Sequence, residues 1–359
     1  MNKFKKIGLS ALCGSLASIS AASAGSIDVT GSALATWTGL GGQVTGNPIG
    51  MATGLTFTGN GELDGGQTFS VTIAEGQQAA YSSANITLNT NSAGTFKLSS
   101  AEGGAGIGGY DDNMPTAWEE VWDTGIATNA NFQKGVAGTT NVSWKSPKIG
   151  GTSFQIAYTP ENDGSSNAKK KTSGGSDSFG SGWGMVLDAG TADGAINFFV
   201  GGSRTELAKQ RTDRDLSGDH EEAVVGLQFK FGPVALGGQV SGERLRTRAL
   251  NTAEYYGNSS WGIAFNVNDA LSVSYSEARH LMTKTHKSSN SERTAIGGGS
   301  YNPNEYTPKS WMRGDSIQVA YTIGGVGLKY AQTTYDNTLF SFDAKIPRES
   351  QIVAISLAF

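Results

Sequence analysis

The densest group of ionisable side chains lies between Ala101 and Gly138. Asp111, Asp112, Glu119, Glu120 and Asp123 crowd into 13 positions, interleaved with Met114, Trp118, Val121 and Trp122. Carboxylates gathered without a neighbouring nucleophile or base do electrostatic work: they attract cations and repel anions. Thr116 followed by Glu119 has the form of a capping box, and Pro115 suits the first turn of a helix. At about 100° per residue, Met114, Trp118, Val121 and Trp122 share one face, while Glu119, Glu120 and Asp123 point the other way. The spacing predicts a short helix that leans its apolar side on a wall and turns its acids to water. Asp111 and Asp112 are a calcium-binding possibility, but they lack the fuller oxygen set of a calcium loop, so no cofactor is expected.

Other chemistries find less support. His220, His280 and His286 fall in or beside long polar links, with no serine and orienting group at a spacing that suggests hydrolysis, so no catalytic residues are expected. Gly103-Gly104-Ala105-Gly106 lacks the strand-to-helix setting of a phosphate loop. Lys169, Lys170 and Lys171, like Arg244, Arg246 and Arg248, read as solvated charge in external links.

The chain opens with Lys3, Lys5 and Lys6, then an apolar stretch from Ile7 to Ile19, then Ala22-Ser23-Ala24. That is the form of a secretory signal peptide cleaved after Ala24, its apolar part too short to span a membrane. The exported chain, Gly25 to Phe359, has no cysteine, which excludes a disulfide-stapled domain. It carries 24 Lys and Arg (27 less the three in the leader) against 31 Asp and Glu, a net −7, which speaks against a nucleic-acid partner.

What must position the acids is a set of short strands. Val353, Ile355, Leu357 and Phe359 alternate with Ile352, Ala354, Ser356 and Ala358, and the same period of two recurs through the chain. Strands are expected near 26–37, 53–61, 67–75, 83–89, 94–100, 139–146, 152–159, 182–189, 194–203, 221–231, 234–243, 256–267, 271–281, 314–323, 326–335 and 348–359. The links alternate in character. Gly232-Pro233, Asn268-Asp269-Ala270 and Gly324-Gly325 are tight turns, whereas 101–138, 160–181, 204–220 and 282–313 are long and polar. An even strand count with short links at one end and long links at the other predicts an all-β fold, a 16-stranded antiparallel transmembrane β-barrel with an inward-folded third loop. A β-sandwich alternates too but has no reason to segregate its loop lengths. Phe231, Val267, Ile323 and Phe359 end strands on the turn side, and Trp37, Tyr158, Trp183 and Tyr335 on the loop side, where membrane boundaries are expected.

The leader, the terminal Phe359 and the run Ser143-Trp144-Lys145-Ser146-Pro147-Lys148-Ile149-Gly150-Gly151-Thr152-Ser153-Phe154-Gln155-Ile156-Ala157-Tyr158 resemble a Gram-negative general porin of the alphaproteobacterial type. The resemblance implies a homotrimer in the outer membrane that passes small polar solutes by diffusion, in contact with outer-membrane lipid and lipopolysaccharide. It also implies that Phe359 is read by the barrel-assembly machinery. Asp111, Asp112, Glu119, Glu120 and Asp123 would then line the pore constriction, with Met114, Trp118, Val121 and Trp122 packed on the wall. Lys97, Lys145, Lys230 and Lys329 fall on inward positions as the opposing lumen charges. One departure stands out: such porins place arginines on their first strands, yet no Lys or Arg occurs between Gly25 and Phe96. The expectation is mild cation selectivity. The alternatives are a secreted or surface β-rich adhesin and a substrate-specific outer-membrane channel.

Overall fold

The computed structural model describes residues 25–41, 46–76, 79–160, 179–207, 219–245, 253–284, 309–341 and 347–359. The expected leader, Lys169–Lys171, Arg246, Arg248 and His286 lie outside them. Sixteen strands follow one another. The first five are β1 (Ile27–Gly41), β2 (Ile49–Glu62), β3 (Thr68–Gly76), β4 (Ala79–Thr90) and β5 (Gly94–Ser100). After a long interruption come β6 (Asn141–Lys145), β7 (Thr152–Thr159), β8 (Phe179–Gly190), β9 (Ile196–Leu207) and β10 (His220–Phe231). The wall is completed by β11 (Val234–Arg244), β12 (Ala253–Asn266), β13 (Leu271–Lys284), β14 (Lys309–Ile323), β15 (Val326–Asp336) and β16 (Pro347–Ala358).

Every strand pairs antiparallel with its neighbours in sequence, and β1 pairs with β16 from Ser32↔Ala358 to Gly41↔Glu349, so the sheet closes and has no free edge. At the seam Gly31 N donates to Phe359 O (2.7 Å) and Phe359 N to Gly31 O (3.0 Å). The tight turns are enforced by backbone chemistry. Gly232 and Gly324 sit at φ of 56° and 57°, where a side chain would be strained, and each opens a two-residue link between adjacent strands.

The period of two sorts the wall into two faces. Ile317, Val353, Ile355 and Leu357 are 45–55% exposed, while their neighbours Gln318 and Ala354 are 0% exposed. Trp261, Ile263 and Phe265 on β12 and Val71 and Ile73 on β3 continue the exposed apolar face. The other face is polar, and residues 111–131 bond to its side chains on β10 to β16. One boundary aromatic differs from expectation: Tyr335 is buried at 1% exposure, on the polar face. The outward register set by Val326, Leu328 and Tyr330 puts odd positions of β15 inside, and Tyr335 bonds His280 Nε2 there at 3.0 Å.

Candidate functional site

The short helix predicted from the Thr116 and Glu119 capping box does not form. The segment has 3₁₀ turns only, at Gly106–Tyr110 and Val121–Asp123, and its capping box is absent. The reason lies in the wall. The first-turn N–H groups, which a helix leaves for its N-cap, are taken instead by polar-face side chains: Ala117 N by Ser274 Oγ (2.8 Å), and Trp118 N and Glu119 N by Gln318 Oε1 (3.0 Å each). Gln318 Nε2 in turn donates to Glu119 O at 2.5 Å. The wall side chains thus compete with the Thr116 cap for the amides that would start the helix.

The same device recurs along the loop. Asn113 N donates to Gln239 Oε1 (3.2 Å), Gln239 Nε2 to Asp111 O (2.6 Å), and Gln228 Nε2 to Asn113 O. Thr124 Oγ1 meets Thr333 Oγ1, and Ser350 Oγ donates to Thr124 O. Further on, Lys134 N and Gly135 N donate to the two oxygens of Glu222 (2.8 Å each). Close approach is purchased with missing side chains: a Cβ on Gly262 would lie 2.5 Å from Pro115 O, and one on Gly237 2.8 Å from Pro115 Cδ.

Apolar contacts complete the docking. Ile107 packs with Val186, Phe199 and Val224, and the Tyr110 and Phe199 rings lie 4.9 Å apart. Val121 and Ile126 join Ala278, Met282, Met312, Tyr335 and Phe340. Among the four expected packing residues, Met114 and Val121 are buried and Trp118 and Trp122 half-buried. Trp122 lies against Phe132, the rings tilted at 38° with centroids 4.3 Å apart, and meets His280 edge-on (5.9 Å). Apart from Phe199, an inward aromatic visible in the strand pattern, these wall partners are isolated apolar residues that leave no mark in an alternating sequence.

The acids come together even without a helix. Burial and the neighbouring Asp112 and Asp123 raise Asp111 to about 6. Burial, and then Asp112, Glu119 and Asp123, hold Glu120 up at about 8. Glu119 is raised by burial and by Asp123 and Asp112, with Lys329 pulling the other way. Asp112 and Asp123 are the two exposed members. Tyr110 is raised by burial and by Asp188, to which its hydroxyl donates at 3.0 Å. The structure therefore links all five acids electrostatically and adds Lys134, beside Asp111, which the sequence reading left out.

The four lysines are dispersed. Lys97 is paired with Glu102 at the start of the loop. Lys145 and Lys230 are exposed at the turn-side ends of β6 and β10. Lys329 stands beside the acids, its Nζ 5.6 Å from the centre of the Trp118 ring. Phe359 is 76% exposed, and its ring lies over Gly31, where a Cβ would come within 2.3 Å of it. A separate cluster joins His220, Glu222 and Glu243, whose ligand atoms lie within 4.8 Å of one another at the loop-side end of β10 and β11.

A family model described as Gram-negative porin matches residues 8–307. Comparison with curated protein sequences finds no match. Among solved structures, an anion-selective porin from Comamonas acidovorans superposes with a TM-score of 0.64 at 15% identity, over 93% of this chain and 100% of that one. OmpF of Salmonella typhi, in complex with daunomycin, gives 0.62 at 12% identity, over 94% and 98%. The trimer form of OmpT from Vibrio cholerae gives 0.61 at 10% identity, over 94% and 100%. At such identities the likeness is one of fold, and the family match, spanning most of the sequence, carries the assignment. With its sixteen strands closed, its apolar face turned outward to lipid and its polar face enclosed, the chain belongs to the Gram-negative porin family and is a channel of the outer membrane.

Proposed function

We propose that residues 101–138 narrow the lumen of this porin and bias it mildly toward cations, with small hydrophilic solutes crossing by passive diffusion and no enzymatic step. One observation carries the reading: Asp111, Asp112, Glu119, Glu120 and Asp123 form a single electrostatic group on the enclosed polar face. Little opposes it. Lys97 is occupied by Glu102, Lys145 and Lys230 sit at the rim, and β1 to β4 contain no Lys or Arg. Lys329 and Lys134 temper the group without outnumbering it.

Three ionised carboxylates about 7 Å from a passing ion contribute ~0.6 kcal/mol each in a water-like dielectric, nearly ~2 kcal/mol together. Salt with a Debye length of about 10 Å reduces this to a severalfold preference. Reversal potentials in planar bilayers under a salt gradient test it; equal or anion-favouring permeability would refute the reading.

The assembly follows the Vibrio cholerae OmpT described as a trimer. This chain is proposed to form a homotrimer through its exposed apolar face, embedded in outer-membrane lipid with lipopolysaccharide at its rim. Phe359, at the open end of the last strand, is proposed as the group read by the barrel-assembly machinery. A heat-modifiable trimer on detergent gels is the expected result, and a detergent-stable monomer would count against it.

A further inference from the structure

Glu222 and Glu243 are direct cross-strand partners on β10 and β11, both on the enclosed face, at 6% and 7% exposure. Two carboxylates placed opposite each other and shielded from water repel unless one holds a proton or a cation stands between them. The groups around them are mostly neutral donors. Glu222 receives Lys134 N, Gly135 N and Ser203 Oγ, and Glu243 receives the Asn131 side-chain amide. His220 lies beside them, its Nε2 2.9 Å from Glu243 Oε1, a contact that brings an imidazole nitrogen to the carboxylate pair.

A second observation points the same way. Gln133 lies in the segment whose residues 131, 134 and 135 clasp the two glutamates, and it is 1% exposed. Neither its Oε1 nor its Nε2 has a partner among the described residues. Buried polar atoms without partners call for a water or an ion beside this segment.

We propose that His220, Glu222 and Glu243 bind one divalent transition-metal ion of the zinc type. Imidazole nitrogen with carboxylate oxygen is a donor set that suits zinc, cobalt or nickel better than calcium or magnesium. A doubly positive ion matches the two negative charges. Ligand atoms at about 2.1 Å from a common centre lie at most about 4.2 Å apart. The present spread, within 4.8 Å, is slightly wider, so a bound ion would draw the three side chains together. The bound ion would tie β10 and β11 to the loop segment that covers them, and none of its ligands is one of the five constriction acids, so its failure would leave the selectivity reading untouched.

The test uses the full-length protein, purified in detergent and stripped with a chelator, titrated with cobalt(II) and then zinc(II). We expect one ion per protomer, visible cobalt absorption displaced by zinc, and loss of this binding in His220→Gln. X-ray absorption of the zinc-loaded wild-type protein should report a single imidazole with oxygen neighbours, a readout that needs no variant. No stoichiometric binding at micromolar metal would overturn the proposal. So would binding that survives His220→Gln, or a metal shell with no imidazole or with two.

Discussion

Glu120 should make the selectivity of this porin depend on pH well above the range where carboxylates ordinarily titrate. Its carboxyl stands at about 8 instead of 4.5, because it is half-buried among Asp112, Glu119 and Asp123. A raised acid is neutral below its pKa, so the charge appears as pH rises: about one-tenth ionised near pH 7, about nine-tenths near pH 9. At about 7 Å the added charge lowers a cation by ~0.5 kcal/mol and raises an anion equally, an unscreened change of about fivefold in their ratio. A Debye length of about 10 Å leaves about twofold. Asp111, at about 6, is already mostly ionised at the start of this window. Reversal potentials of the wild-type channel in a fixed KCl gradient should therefore move toward the cation limit between pH 7 and pH 9, and those of Glu120→Gln should stay flat. A wild-type ratio unchanged across that range would refute the argument, as would an equal rise in Glu120→Gln.

Three further perturbations address the loop and the seam. Gln318→Ala removes the wall partner of Trp118 N, Glu119 N and Glu119 O, costing the loop about 2–3 kcal/mol of tethering. Single-channel records should flicker and conduct more, and a trace like wild type would count against the tether. Gly262→Ala places a Cβ against the Pro115 carbonyl, a strain of about 1–3 kcal/mol that the loop can relieve by moving. Conductance should change while heat-modifiability of the barrel is retained; an unaltered conductance would show that Pro115 is not close-packed. Phe359→Ala strips the ring from Gly31 and the proposed assembly mark from the chain end. The fraction recovered as folded barrel in the outer membrane should fall, and wild-type recovery would dismiss the role.

The barrel was legible because it is a matter of local pattern. A strand with one side in lipid and one in water must alternate, and hairpins at one end must be tight, so Val353/Ile355/Leu357 against Ile352/Ala354/Ser356 and the Gly324-Gly325 turn are written residue by residue. All sixteen strands occur where they were expected, with ends shifted by a few residues. The acidic cluster was legible too, since five carboxylates within one loop need no fold to be seen. The conformation of that loop was not. Thr116 and Glu119 spell a helix start, but a capping box is worth about 1 kcal/mol, and Gln318, Ser274, Gln239 and Glu222 offer the backbone more. Those side chains lie some 90 to 200 positions away in sequence, and only closure of the sheet brings them under the loop. The same holds for Tyr335, drawn inside by strand register, and for His220, Glu222 and Glu243, whose meeting depends on the pairing of β10 with β11. Alternation and turn chemistry are properties of neighbours along the chain, so the sequence alone determined the barrel. The partners of a loop are chosen across the lumen, so only the tertiary structure decided them.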